Sequence, residues 1–303
     1  MNLVIIYLLL SILLLIFSAT FLVRSVKRIA TLFGISEFSA SFILVALATS
    51  FPELLVGINS AISGNPSLSF GNVLGANLLN LTLVLGVILI IAGKSKVESK
   101  EVRDNTILIY LMILLPLILY VIGMTLSRLD GIILVLGFIF LVRKITVRPQ
   151  KSFLLNPSIP KTLFSFFISF TVLYLSARLV VQYSTDLAIQ LGLSDLIIGL
   201  FIISIGTTLP EFAFGVQAAL KKHNTMALGD QIGSVIANST LILGIVAIIH
   251  PIVTDIRGFL IASIFIIIIM AFLLIRLLRN NLSRLDGIIL ILIYILFVVT
   301  QFA

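Results

Sequence analysis

The stretch "LATSFPELLVG", residues 47–57, sets Pro52 beside Glu53 in the middle of a long apolar run. A proline inside a helix lacks the N–H that would bond the carbonyl four residues back, and its ring displaces that carbonyl. Pro52 is therefore expected to free the carbonyl of Ala48 and to loosen that of Thr49. In lipid such groups are tolerated only against protein or a watery cavity. The glutamate is costlier still, at ~2.5 kcal/mol or more for a charge near the bilayer centre. The pattern returns in "IGTTLPEFAFG", residues 205–215, where Pro210 is expected to free Gly206 and Thr207 ahead of Glu211. Two such breaks need a common cause.

The surroundings are those of a membrane protein. The chain has 303 residues, 60% of them hydrophobic and only 11% charged, and continuous apolar segments of about 20 residues mark membrane spans. The first apolar run begins at residue 3 with no basic segment ahead of it, and is expected to be a span and not a removed signal. Ten spans are expected, at 3–23, 38–62, 68–92, 105–125, 127–142, 161–183, 195–219, 227–250, 257–277 and 284–302. A loop at 142–160, with Pro149, Pro157 and Pro160, divides the chain near its middle. There is no cysteine, so disulfides and thiolate metal sites are excluded. The net charge of +8 lies in the short loops, which points to membrane topology instead of nucleic acid. If both termini lie outside, 17 of the 20 lysines and arginines fall in cytoplasmic loops, as the positive-inside rule requires. Only Arg128, Arg178 and Arg257 fall on the other side.

Sliding the sequence against itself by 158 positions aligns "ATSFPE" (48–53) with "GTTLPE" (206–211), and "GNVLGANLLNLTLVLG" (71–86) with "GDQIGSVIANSTLILG" (229–244). Near the end of each half the offset becomes 156, matching "LSRLDGIILVL" (126–136) to "LSRLDGIILIL" (282–292). These "LSRLDG" turns are expected to be structural caps. The fold class is thus an all-α membrane protein of two five-helix repeats, 1–150 and 151–303. Five is odd, so the second repeat enters the membrane from the opposite side. Inverted repeats are common in secondary transporters, with the substrate site at the midplane; the alternative is a duplicated bundle with no transport role.

The breaks supply complementary groups. Two carboxylates bring charge and the freed carbonyls bring neutral oxygens, the ligands that hard cations such as calcium take in sets of six to eight. Lysine and arginine are missing from the span interiors, so Glu53 and Glu211 are expected to have no fixed positive partner, and a bound cation or a proton must neutralise them. The second motif of each half adds polar side chains: Asn77 and Asn80, then Ser234 and Asn238, with Val235 where Asn77 would repeat. Asn80 and Asn238 each follow a glutamate by 27 residues. Gly71, Gly75, Gly229 and Gly233 form two small-xxx-small pairs suited to close helix packing.

These motifs resemble the two α-repeats of the sodium/calcium exchanger family, within the calcium/cation antiporter superfamily, and the compact plan is similar to its prokaryotic and archaeal members. The likeness is strongest over about 45–86 and 203–244, within α-repeats at about 36–86 and 194–244. It implies that Glu53 and Glu211 bind Ca2+ with the backbone carbonyls of Thr49 and Thr207. It also implies flanking Na+ sites using the same glutamates, the hydroxyls of Ser50 and Thr208, and Ser234, with Asn80 and Asn238 in the middle and Ala46 and Ser204 also in the ligand set. The implied reaction is antiport of Na+ for Ca2+ by alternating access, with spans 1 and 6 sliding past the rest. It needs no cofactor, no covalent chemistry, no nucleic acid and no obligate protein partner, only lipid and the two ions, at the cell membrane.

Three departures stand out. Ala48 replaces a usual glycine, and Ala76 replaces a usual serine opposite Ser234, which bears on sodium stoichiometry. Asp230 stands where the first half has Asn72; it is expected either to be a vestibule carboxylate that attracts cations or to mark a helix start. A proton-coupled calcium exchanger on the same scaffold is the nearest rival, favoured less because its relatives carry a "GN-x-x-E" signature. An intramembrane aspartyl protease would need a second aspartate in a neighbouring span, whereas Asp195 lies at a span edge and Asp186 in a loop. A passive channel is a further alternative. His223 and His250 fall at span ends and are expected to be interfacial, with pH sensing as the alternative.

Overall fold

The computed structural model describes residues 2–64, 66–93, 100–146, 158–190, 204–253, 256–278 and 282–302. Their regular structure is helical, apart from an isolated antiparallel bridge between Leu126 and Ile252. In chain order the helices are α1 (Asn2–Phe33), α2 (Glu37–Thr49) and α3 (Phe51–Ile62). Next come α4, made of Pro66–Leu79, a π-helical turn Asn80–Val84 and Leu85–Ala92, then α5 (Lys100–Gly123) and α6 (Arg128–Thr146). The second half holds α7 (Ile159–Gln190), α8 (Ser204–Thr207) and α9 (Leu209–Leu220). It closes with α10 (Asn224–Ile249), interrupted by a π-helical turn Ala237–Ile242, then α11 (Ile256–Leu278) and α12 (Arg284–Phe302). Six of the described helices are long and apolar enough to cross a membrane, and the bent pair α2–α3 makes a seventh.

Several boundaries differ from expectation. Helix α1 was expected to end at 23 but runs on to Phe33. The extension is amphipathic: Arg24, Lys27 and Arg28 are exposed while Ser25, Val26, Ile29 and Ala30 between them are buried. Basic residues on an outer stripe do not end a helix whose other face still has a partner. For the same reason α6 and α7 extend into the expected loop, and α7 continues to Gln190. The rest of that loop, 147–157, lies outside the described residues, as does the start of the seventh expected span, 195–203.

Helices α1 and α7 are 32 residues each, about 48 Å at 1.5 Å per residue and longer than a hydrocarbon core of about 30 Å. They pair antiparallel: Tyr7 stacks on Tyr183 with centroids 5.4 Å apart, and at the other end the Ser25 and Ser165 hydroxyls are 2.8 Å apart. The two helices repeat one another in detail, since Ser18 donates to the Leu15 carbonyl and Ser176 to that of Leu173, both at 2.9 Å. At the end of α9 the pair is tied to the remaining bundle by Thr20 donating to Gln217 (3.0 Å) and by the Lys221 amine donating to the Thr20 carbonyl (2.9 Å).

At the centre stand α4 and α10, mostly buried, whereas α1, α5, α7 and α11 turn most of their surface outward. Each central helix is crossed at a glycine. A Cβ on Gly86 of α4 would lie 2.8 Å from the Gly287 carbonyl of α12, and one on Gly244 of α10 would lie 2.8 Å from the Gly131 carbonyl of α6. Those four positions are related by the 158 and 156 spacings of the sequence repeat, and only the smallest side chain allows backbones this close. The "LSRLDG" turns are caps as expected. Ser127 donates its N–H and Oγ to the Asp130 carboxylate at 2.8 and 2.7 Å, and Ser283 does the same to Asp286 at 2.7 Å for both. This reciprocal serine–acid arrangement opens α6 and α12. Asp286, nearly buried, also pairs with Arg276 at 2.7 Å.

Adding a methyl at either crossing overpacks it. Gly131→Ala and Gly86→Ala are each expected to cost about 1–3 kcal/mol, read as a lower thermal-unfolding midpoint in detergent. Gly123→Ala, whose added carbon meets only Thr125 at 3.9 Å, leaves the midpoint unchanged.

Candidate cation site

The two breaks have one geometry. Ser50, at φ −80° and ψ 7°, separates α2 from α3 and bends the pair by 45°. Thr208, at φ −91° and ψ −1°, separates α8 from α9. Pro52 and Pro210 are the second residues of the helices that follow, where a missing N–H is harmless and the fixed φ suits the first turn. Each glutamate comes next, with its carboxylate facing its own backbone N–H. Helix N-termini carry partial positive charge and favour an anion there.

Glu53 and Glu211 are both buried, at 1% and 0% exposure, and lie within electrostatic reach of one another. Each also faces polar side chains from the opposite break: Thr207 for Glu53, and Thr49 and Ser50 for Glu211. These approaches are electrostatic contacts, since none of the four carboxylate oxygens makes a hydrogen bond of full geometry. Among the described residues neither carboxylate has a basic partner. No cluster of three or more His, Cys, Asp or Glu among them is placed to hold a metal. The donor set is therefore two carboxylates with hydroxyls, amides and carbonyls, an oxygen set suited to hard cations.

Asn80 and Asn238 are fully buried, and the amide nitrogen and oxygen of both are without a hydrogen-bond partner. Both sit on the π-helical turns of α4 and α10, a distortion that recurs at functional sites. The turns match: Thr82 donates back to the Leu78 carbonyl, and Thr240 to that of Ile236 at 2.6 Å. Asn77 has a different task. Its amide donates to Ser239 Oγ at 2.8 Å and ties α4 to α10. Ser239, which sequence reasoning passed over, stands where the first half has Leu81, so neither pairing nor motif could have marked it.

Ser234 reaches the same centre, its hydroxyl 3.5 Å from that of Thr49. Thr208 is buried and Thr207 half-buried. Ala46 is buried, with its carbonyl accepting from the Ser50 N–H at 3.0 Å and the Thr49 hydroxyl at 3.4 Å. The side chain of Ser204 lies outside the described residues, while its backbone opens α8.

Asp230 corrects the expectation. It is fully buried, so it is not a vestibule group, and α10 begins six residues earlier at Asn224, so it does not start a helix. Its carboxylate accepts from Gln231 at 3.0 Å and Thr49 at 3.5 Å and lies within electrostatic reach of Glu211. What the sequence hid is that α2 covers this stretch of α10.

The two sides of the site differ. On one, a cavity of about 860 Å³ reaches down to Pro52, Thr207 and Pro210 and is lined farther out by Asn59, Arg178 and Gln182. On the other, α2 and α10 are in backbone contact: a Cβ on Gly229 or Gly233 would lie 2.7 or 2.5 Å from the carbonyls of Phe38 and Phe42. Ser41 donates to the Met226 carbonyl at 2.8 Å there, and His223 meets Glu37 at 3.0 Å. The small-residue pair of α10 thus packs as expected. Gly71 and Gly75 meet nothing within 4 Å among the described residues.

A membrane bundle with buried, unpaired carboxylates at paired helix breaks is the architecture of an ion-coupled carrier. The family model for sodium/calcium exchanger protein matches residues 3–146 and 161–303, and the chain belongs to that family. It is 26% identical over 345 residues to the sodium/calcium exchanger MaX1 of Methanosarcina acetivorans, covering 97% of both chains. It is 28% identical to the inner membrane protein YrbG of Escherichia coli, covering 80% of this chain and 79% of that one. A solved structure of the sodium-calcium exchanger NCX_Mj, soaked with zero Na+ and Ca2+, superposes with a TM-score of 0.86 at 27% identity over 99% of each chain.

The Asn77–Ser239 link is testable by a double-mutant cycle. Asn77→Ala and Ser239→Ala are each expected to cost about 1–2 kcal/mol by orphaning a buried partner. The double variant then costs less than the sum, measured by unfolding in detergent.

Proposed function

We propose that this chain is a secondary antiporter that exchanges Na+ for Ca2+ by alternating access, through one buried site built by both halves. The observation that carries the reading is the pair Glu53 and Glu211, buried together with no basic partner among the described residues. Burying two unpaired charges costs several kcal/mol each, so the site must be neutralised before dry barriers can pass over it. One Ca2+ or a set of Na+ ions does this equally well in charge. A site that moves only when loaded exchanges its cargoes and does not leak them. MaX1 and NCX_Mj, named as sodium/calcium exchangers, support this choice of ions.

Within the site, Glu53 and Glu211 with the carbonyls of Thr49 and Thr207 take Ca2+. The hydroxyls of Ser50, Thr208 and Ser234 and the backbone at Ala46 and Ser204 extend the set for Na+. Asn80 and Asn238 offer unpartnered amides at its centre, and Asp230 adds a hydrogen-bonded carboxyl beside Thr49. Ala76 brings no hydroxyl opposite Ser234, which lowers the ligand count of one Na+ position.

The architecture is ten spans in two inverted repeats, 1–150 and 151–303, in the plasma membrane. The reciprocal glycine crossings and the antiparallel α1–α7 pair support it, as do α6 and α12, at 19 residues each just long enough to span. Both termini lie outside and the basic loops inside. The cavity then opens to the exterior, and the α2–α10 contact seals the cytoplasmic side. Sliding of α1 and α7 across the bundle would exchange these conditions.

In proteoliposomes, calcium uptake is expected under an imposed sodium gradient and not under a pH gradient alone. Glu53→Gln and Glu211→Gln each lower the rate at least about 100-fold, the equivalent of about 3 kcal/mol; full-rate exchange in either variant would defeat the proposed site. The absence of cysteine makes topology directly readable. An impermeant maleimide applied outside cells should label Arg128→Cys and spare Lys222→Cys, and the reverse pattern would invert the orientation.

A further inference from the structure

Arg178 is left unexplained by the exchange site. It is one of three basic residues on the side of the membrane that the positive-inside pattern leaves nearly free of them. It is exposed on α7 and lines the cavity that reaches down to Pro52, Thr207 and Pro210. Among the described lining residues it alone is charged; its neighbours on the wall include Leu55, Leu175 and Leu179, with Asn59, Tyr174, Gln182 and Thr207 bearing the uncharged polar side chains. No ion pair to it is found among the described residues. A cation that reaches Glu53 and Glu211 through this cavity passes the Arg178 guanidinium.

We propose that Arg178 is an electrostatic filter at the outer mouth of the ion path, one that holds back divalent cations more than monovalent ones. The argument rests on the exchange reading for the identity of the ions, and on the cavity and its one charge for the filter. Walls of low polarity focus a field instead of dissipating it. The work done against that field scales with ionic charge, so the factor for Ca2+ is the square of the factor for Na+. Acting across about 8 Å of water, a unit charge changes the local concentration of Na+ about twofold and that of Ca2+ about fivefold at low ionic strength. Arg178 thereby lowers the local concentration of Ca2+ at this face more than that of Na+, ion for ion, without touching a bound ion.

The test is Ca2+/Ca2+ counterflow in oriented proteoliposomes, which needs neither a sodium nor a proton gradient. Half-saturating Ca2+ is measured from each side, in about 10 mM and about 500 mM choline chloride, with Na+ as a competitor. At low ionic strength Arg178→Gln should lower half-saturating external Ca2+ about fivefold and the external inhibitory Na+ concentration about twofold, with both shifts collapsing at high salt as the screening length falls. Arg178→Glu should shift both further, Arg178→Lys should match the parent, and the cytoplasmic face should not change. Equal shifts for the two ions, shifts that persist at high salt, or a lysine variant that behaves like glutamine would each overturn the filter. The same signature on the opposite face would uphold the filter and overturn the assigned orientation. If Na+ fails to compete in the parent while the Ca2+ signature stands, the filter survives and the sodium reading falls.

Discussion

Two carboxylates of the same sign are buried together, with no basic side chain among the described residues placed to neutralise them. The other features of the centre can be understood as responses to that constraint. Each acid is seated in the first turn of a fresh helix, so that backbone N–H groups offset part of its desolvation. Helices fresh at mid-membrane demand breaks, and breaks expose carbonyls, which in lipid would be intolerable. The breaks are therefore enclosed by α4 and α10, the most deeply buried helices of the bundle. Under the proposed function, the charge that remains is left for the cargo. A lysine placed beside Glu53 would relieve the strain and leave nothing for an ion to do.

Much of this was legible in the chain. Proline fixes backbone geometry through a covalent ring, so the breaks near Pro52 and Pro210 follow from local chemistry alone. The repeat made the second half a check on the first, and the crossings at Gly86–Gly287 and Gly131–Gly244 obey the offsets at which the motifs align. The illegible parts are those set by partners. Hydropathy ends α1 at its first arginines, but the helix continues because Val26 and Ile29 still have a surface to cover. The π-helical turns at Asn80 and Ala237 add a residue to a turn without changing composition, so no periodicity announces them. Asp230 was expected at an exposed vestibule and is buried instead, because burial there is conferred by α2, almost 200 residues away. Ser239 matters only through Asn77.

The α1–α7 pair has a different character from the centre. The polar groups it presents to the bundle are few, with Thr20 holding Gln217 and Lys221 at one end, while a serine contact and a tyrosine stack join the two long helices to each other. Two helices bound more firmly to one another than to their neighbours form a natural rigid body. The central helices are instead locked by backbone contact and by the Asn77–Ser239 link, and this division of stiffness is what a moving gate against a fixed site requires.

The contact of Gly233 with the Phe42 carbonyl has a consequence for energetics. At 2.5 Å from a would-be Cβ there is no room for even a methyl, so the missing atoms themselves hold one member of a conformational pair in favour. A side chain there would act as a permanent wedge, adding its repulsion only to the state in which α2 and α10 touch. A difference of about 1.4 kcal/mol shifts such a ratio tenfold, and a larger one leaves the alternative form dominant. The resting poise of the molecule, and with it how long the site waits at each membrane face, is thus tuned by hydrogen atoms standing where carbons would otherwise be.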